Sequence, residues 1–285
     1  MDTITSAKDI TTISKAARRA GRRVGFVPTM GALHDGHLSL VRLARAQCDL
    51  VVVSIFVNPT QFGPSEDFST YPRTFEKDAA MLAADGADYI FFPAVEEIYA
   101  KDSATWVTVE GLTDKLDGRS RPGHFRGVST VVARLFNIVR PDLAYFGQKD
   151  GAQVAVIRKM VRDLHFDTGI VVGPIVREPD GLAMSSRNVY LDACERRQAL
   201  VLSRALDRVS SLARNGETRS AELIAAGRKE MAREPGVRLD YFEIVDWNTL
   251  DPVEDAGQGA LVAVAAWLGK TRLLDNFVIE KYSAK

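Results

Sequence analysis

Two short segments of this sequence combine residue types that suit phosphate chemistry. The first is Pro28-Thr29-Met30-Gly31-Ala32-Leu33-His34-Asp35-Gly36-His37, between an apolar run, Val24 to Val27, and a stretch with Leu40, Leu43 and Ala44 at helical spacing. Strand, turn and helix are the order this predicts. A helix N-terminus at the carboxyl end of a strand offers free N–H groups and the positive end of a dipole to a phosphate. Two glycines let the backbone approach an anion, and two histidines three apart can add hydrogen bonds and donate to the charge that builds on a leaving pyrophosphate. The second segment is Asp180-Gly181-Leu182-Ala183-Met184-Ser185-Ser186-Arg187-Asn188. After a flexible Asp-Gly turn it offers hydroxyls, backbone N–H groups and one permanent cation, a natural set for a triphosphate. Read alone, each segment also has a plainer meaning: a turn with two surface histidines, and a helix-capping serine pair beside a solvated arginine. A zinc site is a weaker reading, because only His124 and His165 remain as further histidines, neither at a metal-ligand spacing, and no H-E-x-x-H occurs.

The elements that must position these segments read as strands alternating with amphipathic helices. After the strand at Val24 and the helix ending near Gln47, Val51 to Val57 is apolar on both faces, as a strand inside a parallel sheet should be, and it stops at the turn Asn58-Pro59. A helix over Thr74 to Ala84, a strand at Tyr89 to Phe92, and a helix striped by Val128, Val131, Val132, Leu135, Phe136 and Val139 follow. Leu143 to Phe146 resumes as strand, Val154, Ile157, Val161 and Leu164 mark a helix, and Ile170 to Val172 a further strand. The alternation predicts a parallel, Rossmann-like α/β sheet in an N-terminal domain over 1–175. Beyond it, helical stretches over Ala193 to Arg214 and Ser220 to Arg233 precede strands near Tyr241 to Val245, Leu261 to Trp267 and Leu273 to Glu280, predicting a smaller α+β domain over 176–285.

Composition narrows the class. The chain has 285 residues, 46% hydrophobic and 26% charged, which argues against disorder, collagen-like repeats and coiled coil. Lys+Arg and Asp+Glu are 37 each, so no overall basic charge argues for nucleic-acid binding. The longest plain apolar run, Ala260 to Leu268, is far below the roughly 20 residues a membrane helix needs. Two cysteines, Cys48 and Cys194, form no C-x-x-C, and the N-terminus lacks the order of a secretion signal; both features predict a cytoplasmic protein.

Taken together, His34-Asp35-Gly36-His37 and Met184-Ser185-Ser186-Arg187 resemble the HIGH and KMSKS signatures of the nucleotidyltransferase superfamily, whose members attack the α-phosphate of ATP and expel pyrophosphate. Phe56-Val57-Asn58-Pro59-Thr60-Gln61-Phe62-Gly63, Tyr71-Pro72-Arg73-Thr74, Arg121-Pro122-Gly123-His124-Phe125-Arg126-Gly127-Val128 and Phe146-Gly147-Gln148-Lys149-Asp150-Gly151-Ala152-Gln153 narrow the resemblance. With the two signatures, they resemble the pantothenate synthetase (pantoate–beta-alanine ligase) family over nearly the whole chain and in the family's order. Another HIGH-motif nucleotidyltransferase, acting on a different acceptor, is the alternative; the Asn58 to Gly63 and Gly123 to Val128 segments argue against it.

The resemblance implies ATP-dependent condensation of pantoate with beta-alanine through a pantoyl adenylate, with AMP and pyrophosphate released, Mg²⁺ required, and a homodimer. It implies that Met30, Gly31, Ala32, Leu33, His34, Asp35, Gly36 and His37 hold ATP, with both histidines on the phosphates and His37 as proton donor. Lys149 would bind phosphate as a point charge, and Gly147, Gln148, Lys149 and Asp150 would supply ribose and phosphate contacts. Val176 would bond adenine through its backbone. Met184, Ser185, Ser186 and Arg187 would close over the triphosphate, with Ser185, Ser186 and Arg187 counted beside Lys149 in the catalytic set. Gln61 and Gln153 would grip pantoate, and Gln61 would also lie near beta-alanine; amides suit this by offering donors and acceptors without charge. Asp78 is a possible Mg²⁺ contributor and is left out of the site.

Overall fold

The computed structural model describes residues 1–64 and 66–281. The chain divides into two compact units, one of Met1–Gly147 and Val156–Pro174, the other of Gln148–Ala155 and Ile175–Lys285.

The first unit carries β1 (Asp2–Ile4), α1 (Ala7–Arg19), β2 (Val24–Thr29), α2 (Asp35–Gln47), β3 (Leu50–Ile55), α3 (Phe75–Ala84), β4 (Tyr89–Phe91), α4 (Val95–Ile98), α5 (Asp117–Ser120), α6 (His124–Val139) and β5 (Leu143–Gly147). The larger part of α7 (Gly151–Asp163) and β6 (Gly169–Gly173) complete it. Its six strands are parallel in the order β1-β4-β3-β2-β5-β6, the Rossmann-like sheet that the alternation predicts. Every residue of β3 is buried, which explains its apolar, β-branched composition. Val27, Val41, Val51, Val53, Ile55, Ile90 and Tyr145 pack one face of the sheet against α2.

The pattern reading picks up neither β1 nor α1. β1 is three residues long at a sheet edge, and α1 carries a narrow stripe, Ile10, Ile13, Ser14 and Ala17, in a stretch otherwise polar. Pro28 lies inside β2 rather than ending it. The carbonyl of Thr29 accepts the N–H of Phe56 on the β3 side, so Pro28 faces the β5 side, where the recorded pairing of β2 stops at Phe26. A strand position without a partner needs no N–H. The chain adds β3 and β4 on one side of β2 and returns to add β5 and β6 on the other, so β2 and β5 flank the topological switch point where open α/β sheets bind ligands.

The second unit has α8 (Ala193–Ala199), α9 (Val201–Arg214), α10 (Ser220–Met231), β7 (Val237–Val245), β8 (Ala260–Leu268) and β9 (Thr271–Ile279), with the strands antiparallel in the order β7-β8-β9. Val201, Leu206, Val209, Leu223, Phe242, Val262 and Val264 form its own core, as an α+β unit requires.

Candidate active site

In the first unit the site grows from the loop between β2 and α2. Gly31 has φ +83° and Ala32 φ +52°, a left-handed pair that turns the chain sharply into the helix. A side chain at 31 would be strained by that φ, and its Cβ would press Ile55 at 3.0 Å and Asp78 at 3.1 Å. Asp78, 1% exposed on α3, accepts the N–H groups of Ala32 and Leu33, each at 2.9 Å, and the Thr74 hydroxyl at 3.2 Å. A buried carboxylate whose two oxygens each accept a backbone N–H holds a loop; those oxygens are committed to the turn rather than presented as an open metal site.

That turn delivers His34 to the N-cap of α2 and His37 to its first turn, the rings 4.1 Å apart between centroids. The His34 N–H points to His37 Nδ1 at 3.4 Å. With Nδ1 accepting that bond, the proton of a neutral His37 ring sits on Nε2.

Gln61 reaches the same loop. Its amide nitrogen donates to the Met30 sulfur at 3.1 Å, and its amide oxygen accepts from Asn58 at 3.0 Å. Asn58, 1% exposed, also donates to the carbonyl of Gly127 at 3.2 Å, while its oxygen accepts from Thr60 and from the Tyr99 hydroxyl. Gly127 lets α6 lie directly on this turn: a Cβ there would run into the Thr60 carbonyl and stand 2.7 Å from the Gln61 Cα.

Behind Gln61, His124 Nδ1 donates to the Gln61 carbonyl at 2.8 Å, and its Nε2 accepts from Arg121 at 3.0 Å. Burial and the Arg121 charge push the His124 pKa down to about 4, so the ring is neutral and holds this tautomer. Arg121 in turn forks onto Glu66 at 2.8 and 2.6 Å. Arg126 lies over the Trp106 ring at 4.3 Å, beside a cavity of about 260 Å³ lined in part by Gln61, Phe62 and His124.

The second unit holds the other sequence-predicted residues except Gly147. Gln148, Lys149 and Asp150 form a 3₁₀ turn, with Lys149 Nζ 3.3 Å from Asp150, and Gln153 follows in the first turn of α7. Val176 accepts the N–H of Met184 at 3.0 Å, closing a tight hairpin whose turn runs from Glu178 to Gly181 with Pro179 and Asp180 at its centre. Ser185 then caps a short 3₁₀ helix, Ser186–Tyr190, by accepting the Arg187 N–H at 3.2 Å. Gly147 ends β5 in the first unit.

Sequence reasoning assigns no role to Asn58, and leaves Asp78 as a possible metal ligand. A turn signal at Asn58-Pro59 is visible; nothing marks Asp78 as a loop anchor, since the backbone N–H groups it accepts lie 46 and 45 positions away. Among the described residues, no cluster of three or more His, Cys, Asp or Glu side chains could hold a metal, and no helix is long and apolar enough to cross a membrane.

Residues 2–278 match the family model described as pantoate-beta-alanine ligase. The chain is 60% identical over 280 residues to a pantothenate synthetase of Koribacter versatilis, covering 98% of this chain and 96% of that protein. It is 54% identical to a pantothenate synthetase of Thermotoga neapolitana, covering 98% and 100%. Among solved structures it resembles pantothenate synthetase from Thermus thermophilus, with a TM-score of 0.92, 48% identity, and coverage of 97% of this chain and 99% of that one. It also resembles pantoate-beta-alanine ligase from Francisella tularensis complexed with beta-gamma ATP and beta-alanine, with a TM-score of 0.77, 33% identity, and coverage of 98% and 97%.

Proposed function

This chain belongs to the pantoate-beta-alanine ligase family and condenses pantoate with beta-alanine in an ATP-dependent reaction, and we propose that the His34–His37 loop with Gln61 carries its activation step. A carboxylate is a poor acyl donor because its leaving group would be oxide. In the proposed first step a pantoate carboxylate oxygen attacks the α-phosphorus of ATP, and the bond to pyrophosphate breaks. In the second, the amine of beta-alanine attacks the acyl carbon of the adenylate, the acyl–oxygen bond breaks with AMP taking the electron pair, and the nitrogen loses a proton. Free pantothenate, AMP and pyrophosphate result.

No enzyme nucleophile is required. Burial pushes the Cys48 thiol up, away from the reactive thiolate, and catalysis comes from positioning and charge stabilisation. Met30 to His37 receive the nucleotide at the start of α2. His34 and His37 donate to phosphate oxygens, and the Nε2 proton of His37 meets charge on the departing pyrophosphate. Gly147, Gln148, Lys149, Asp150, Val176, Met184, Ser185, Ser186 and Arg187 complete the ATP set, with Lys149 and Arg187 as its cations. Gln61 and Gln153 bind pantoate, and Gln61 also serves beta-alanine. The observation that supports this division is the 3.1 Å contact of the Gln61 amide with Met30, which joins the acid-binding candidate to the nucleotide loop.

Mg²⁺ supplies charge neutralisation on the phosphates. Since Asp78 is committed to backbone N–H groups, the ion would be held mainly by the phosphate oxygens of ATP, as this weakly caged ion often is. The family resemblance further supports a homodimer in the cytoplasm. Mass spectrometry of the purified protein with ATP, Mg²⁺ and pantoate, with and without beta-alanine, tests the reading. Pantothenate and AMP in equal amounts, only with both substrates, are expected; a folded, ATP-binding protein that forms no pantothenate would overturn it.

A further inference from the structure

Two adjacent residues of β9, both buried and both outside the motifs, hold the nucleotide-binding segments of the second unit. Asn276, 3% exposed, donates through Nδ2 to the carbonyls of Gln148 at 3.0 Å and Lys149 at 2.8 Å, and its oxygen accepts from the Gln148 amide at 3.4 Å. The Lys149 turn is thus tied at its backbone, while its ammonium reaches the neighbouring Asp150, at 3.3 Å.

Asp275, 2% exposed, takes Arg177 through two bonds, at 2.6 and 3.0 Å. Arg177 also donates to the Gly181 carbonyl at 3.0 Å, across the hairpin that runs into Met184. That hairpin is closed by Glu178 N–H to Leu182 and Met184 N–H to Val176, and Asn188 ties back to Glu178 at 2.7 Å. Two side-chain anchors therefore hold the hairpin that leads to Ser185, Ser186 and Arg187: Asp275 through Arg177, and Arg196, which donates to Glu178 at 2.7 Å and Asp180 at 2.9 Å. Asp275 further accepts the backbone N–H of Asn276 at 2.8 Å, which leaves the Asn276 side chain to the Lys149 turn.

We propose that Asp275 and Asn276 are positioning residues for ATP, Asn276 acting through Lys149 and Asp275 acting through Arg177 on Arg187. The proposal rests on the reading above that Lys149 and Arg187 bind the triphosphate. A buried ion pair or amide often contributes little to net stability, whereas removing one partner leaves its mate uncompensated. The consequence here is misplacement of the phosphate-binding cations.

Double-mutant cycles on the full chain separate this from a general loss of structure. The readout is the Kd of α,β-methylene-ATP by titration calorimetry, on variants whose folding is checked by circular dichroism. Lys149→Ala should weaken binding about tenfold, roughly the loss of one charge-assisted contact. Asn276→Ala should weaken it several-fold, and Asn276→Ala with Lys149→Ala should bind within twofold of Lys149→Ala alone. Combined with Arg187→Ala, Asn276→Ala should instead multiply its effect. Arg177→Lys, on a partly exposed side chain and so less of a risk to folding, should show the reverse pattern: non-additive with Arg187→Ala and additive with Lys149→Ala. Wild-type affinity in Asn276→Ala and Arg177→Lys, or full additivity in every pair, overturns the positioning role alone. Wild-type affinity in Lys149→Ala and Arg187→Ala overturns the ATP-site reading, and the positioning role with it.

Discussion

Replacing Asp78 with Asn should cost both stability and adenylation, for a reason visible at two bonds. The carboxylate accepts the Ala32 and Leu33 N–H groups at 2.9 Å each and is all but fully buried. An Asn side chain keeps one acceptor oxygen and turns an NH₂ toward the other backbone N–H. Losing a bond to a charged acceptor costs about 1.5–3 kcal/mol, and a buried N–H left unpaired costs about 1–3 kcal/mol; the two overlap, so the sum is near 3 kcal/mol. Denaturant unfolding should show that loss. If ATP needs the turn in its left-handed form at Gly31 and Ala32, the same energy taken from the bound loop lowers pantoate-dependent ATP–pyrophosphate exchange on the order of 10²-fold. A metal-ligand role makes a different forecast: near-normal stability and recovery of exchange when Mg²⁺ is raised. An Asp78→Asn protein with wild-type exchange, or one restored by Mg²⁺ alone, refutes the anchoring role.

His37→Ala should lower exchange by about 10²–10³-fold, the usual effect of deleting a donor aimed at developing charge, with an unchanged circular dichroism spectrum. Gly127→Ala sets a helix gain of about 0.5–1 kcal/mol against overpacking of about 1–3 kcal/mol on the Gln61 turn. The clash wins, and the KM for pantoate should rise several-fold with ATP affinity kept; an unchanged pantoate KM would separate Gln61 from that substrate. His124 gives a pH signature. Its folded pKa, near 4, lies below the ordinary 6.5, so the unfolded chain binds the proton first. Stability from this group is full above pH 6.5 and is lost as pH falls toward 4, by up to about 3 kcal/mol. His124→Gln should flatten that part of the melting-temperature profile, and an unaltered slope would assign it to other groups.

Much of the candidate site is legible along the chain because the residues of each proposed set are close in sequence. His34 and His37 share one helix start, Ser185 to Arg187 one short turn, and Lys149 to Gln153 one turn and helix, so covalent spacing alone brings each set together. The alternation of β2 through β6 with helices was legible for the same reason: burial on both faces of a parallel strand writes a continuous apolar run. β1 was not legible, since a three-residue edge strand leaves almost no pattern, whereas α1 does carry one, Ile10, Ile13 and Ala17 at helical spacing.

Tertiary structure alone decided what holds those local sets in place. Asp78 meets the His34 loop across about 45 residues, His124 meets Gln61 across 63, and Asn276 meets Lys149 across 127. Hydrogen bonds between such distant positions exist only once packing has removed water from both partners, and no periodicity or motif in one segment encodes which buried donor will face it. The sequence by itself determined which groups could do the chemistry; the folded chain determined which turns are rigid enough to aim them.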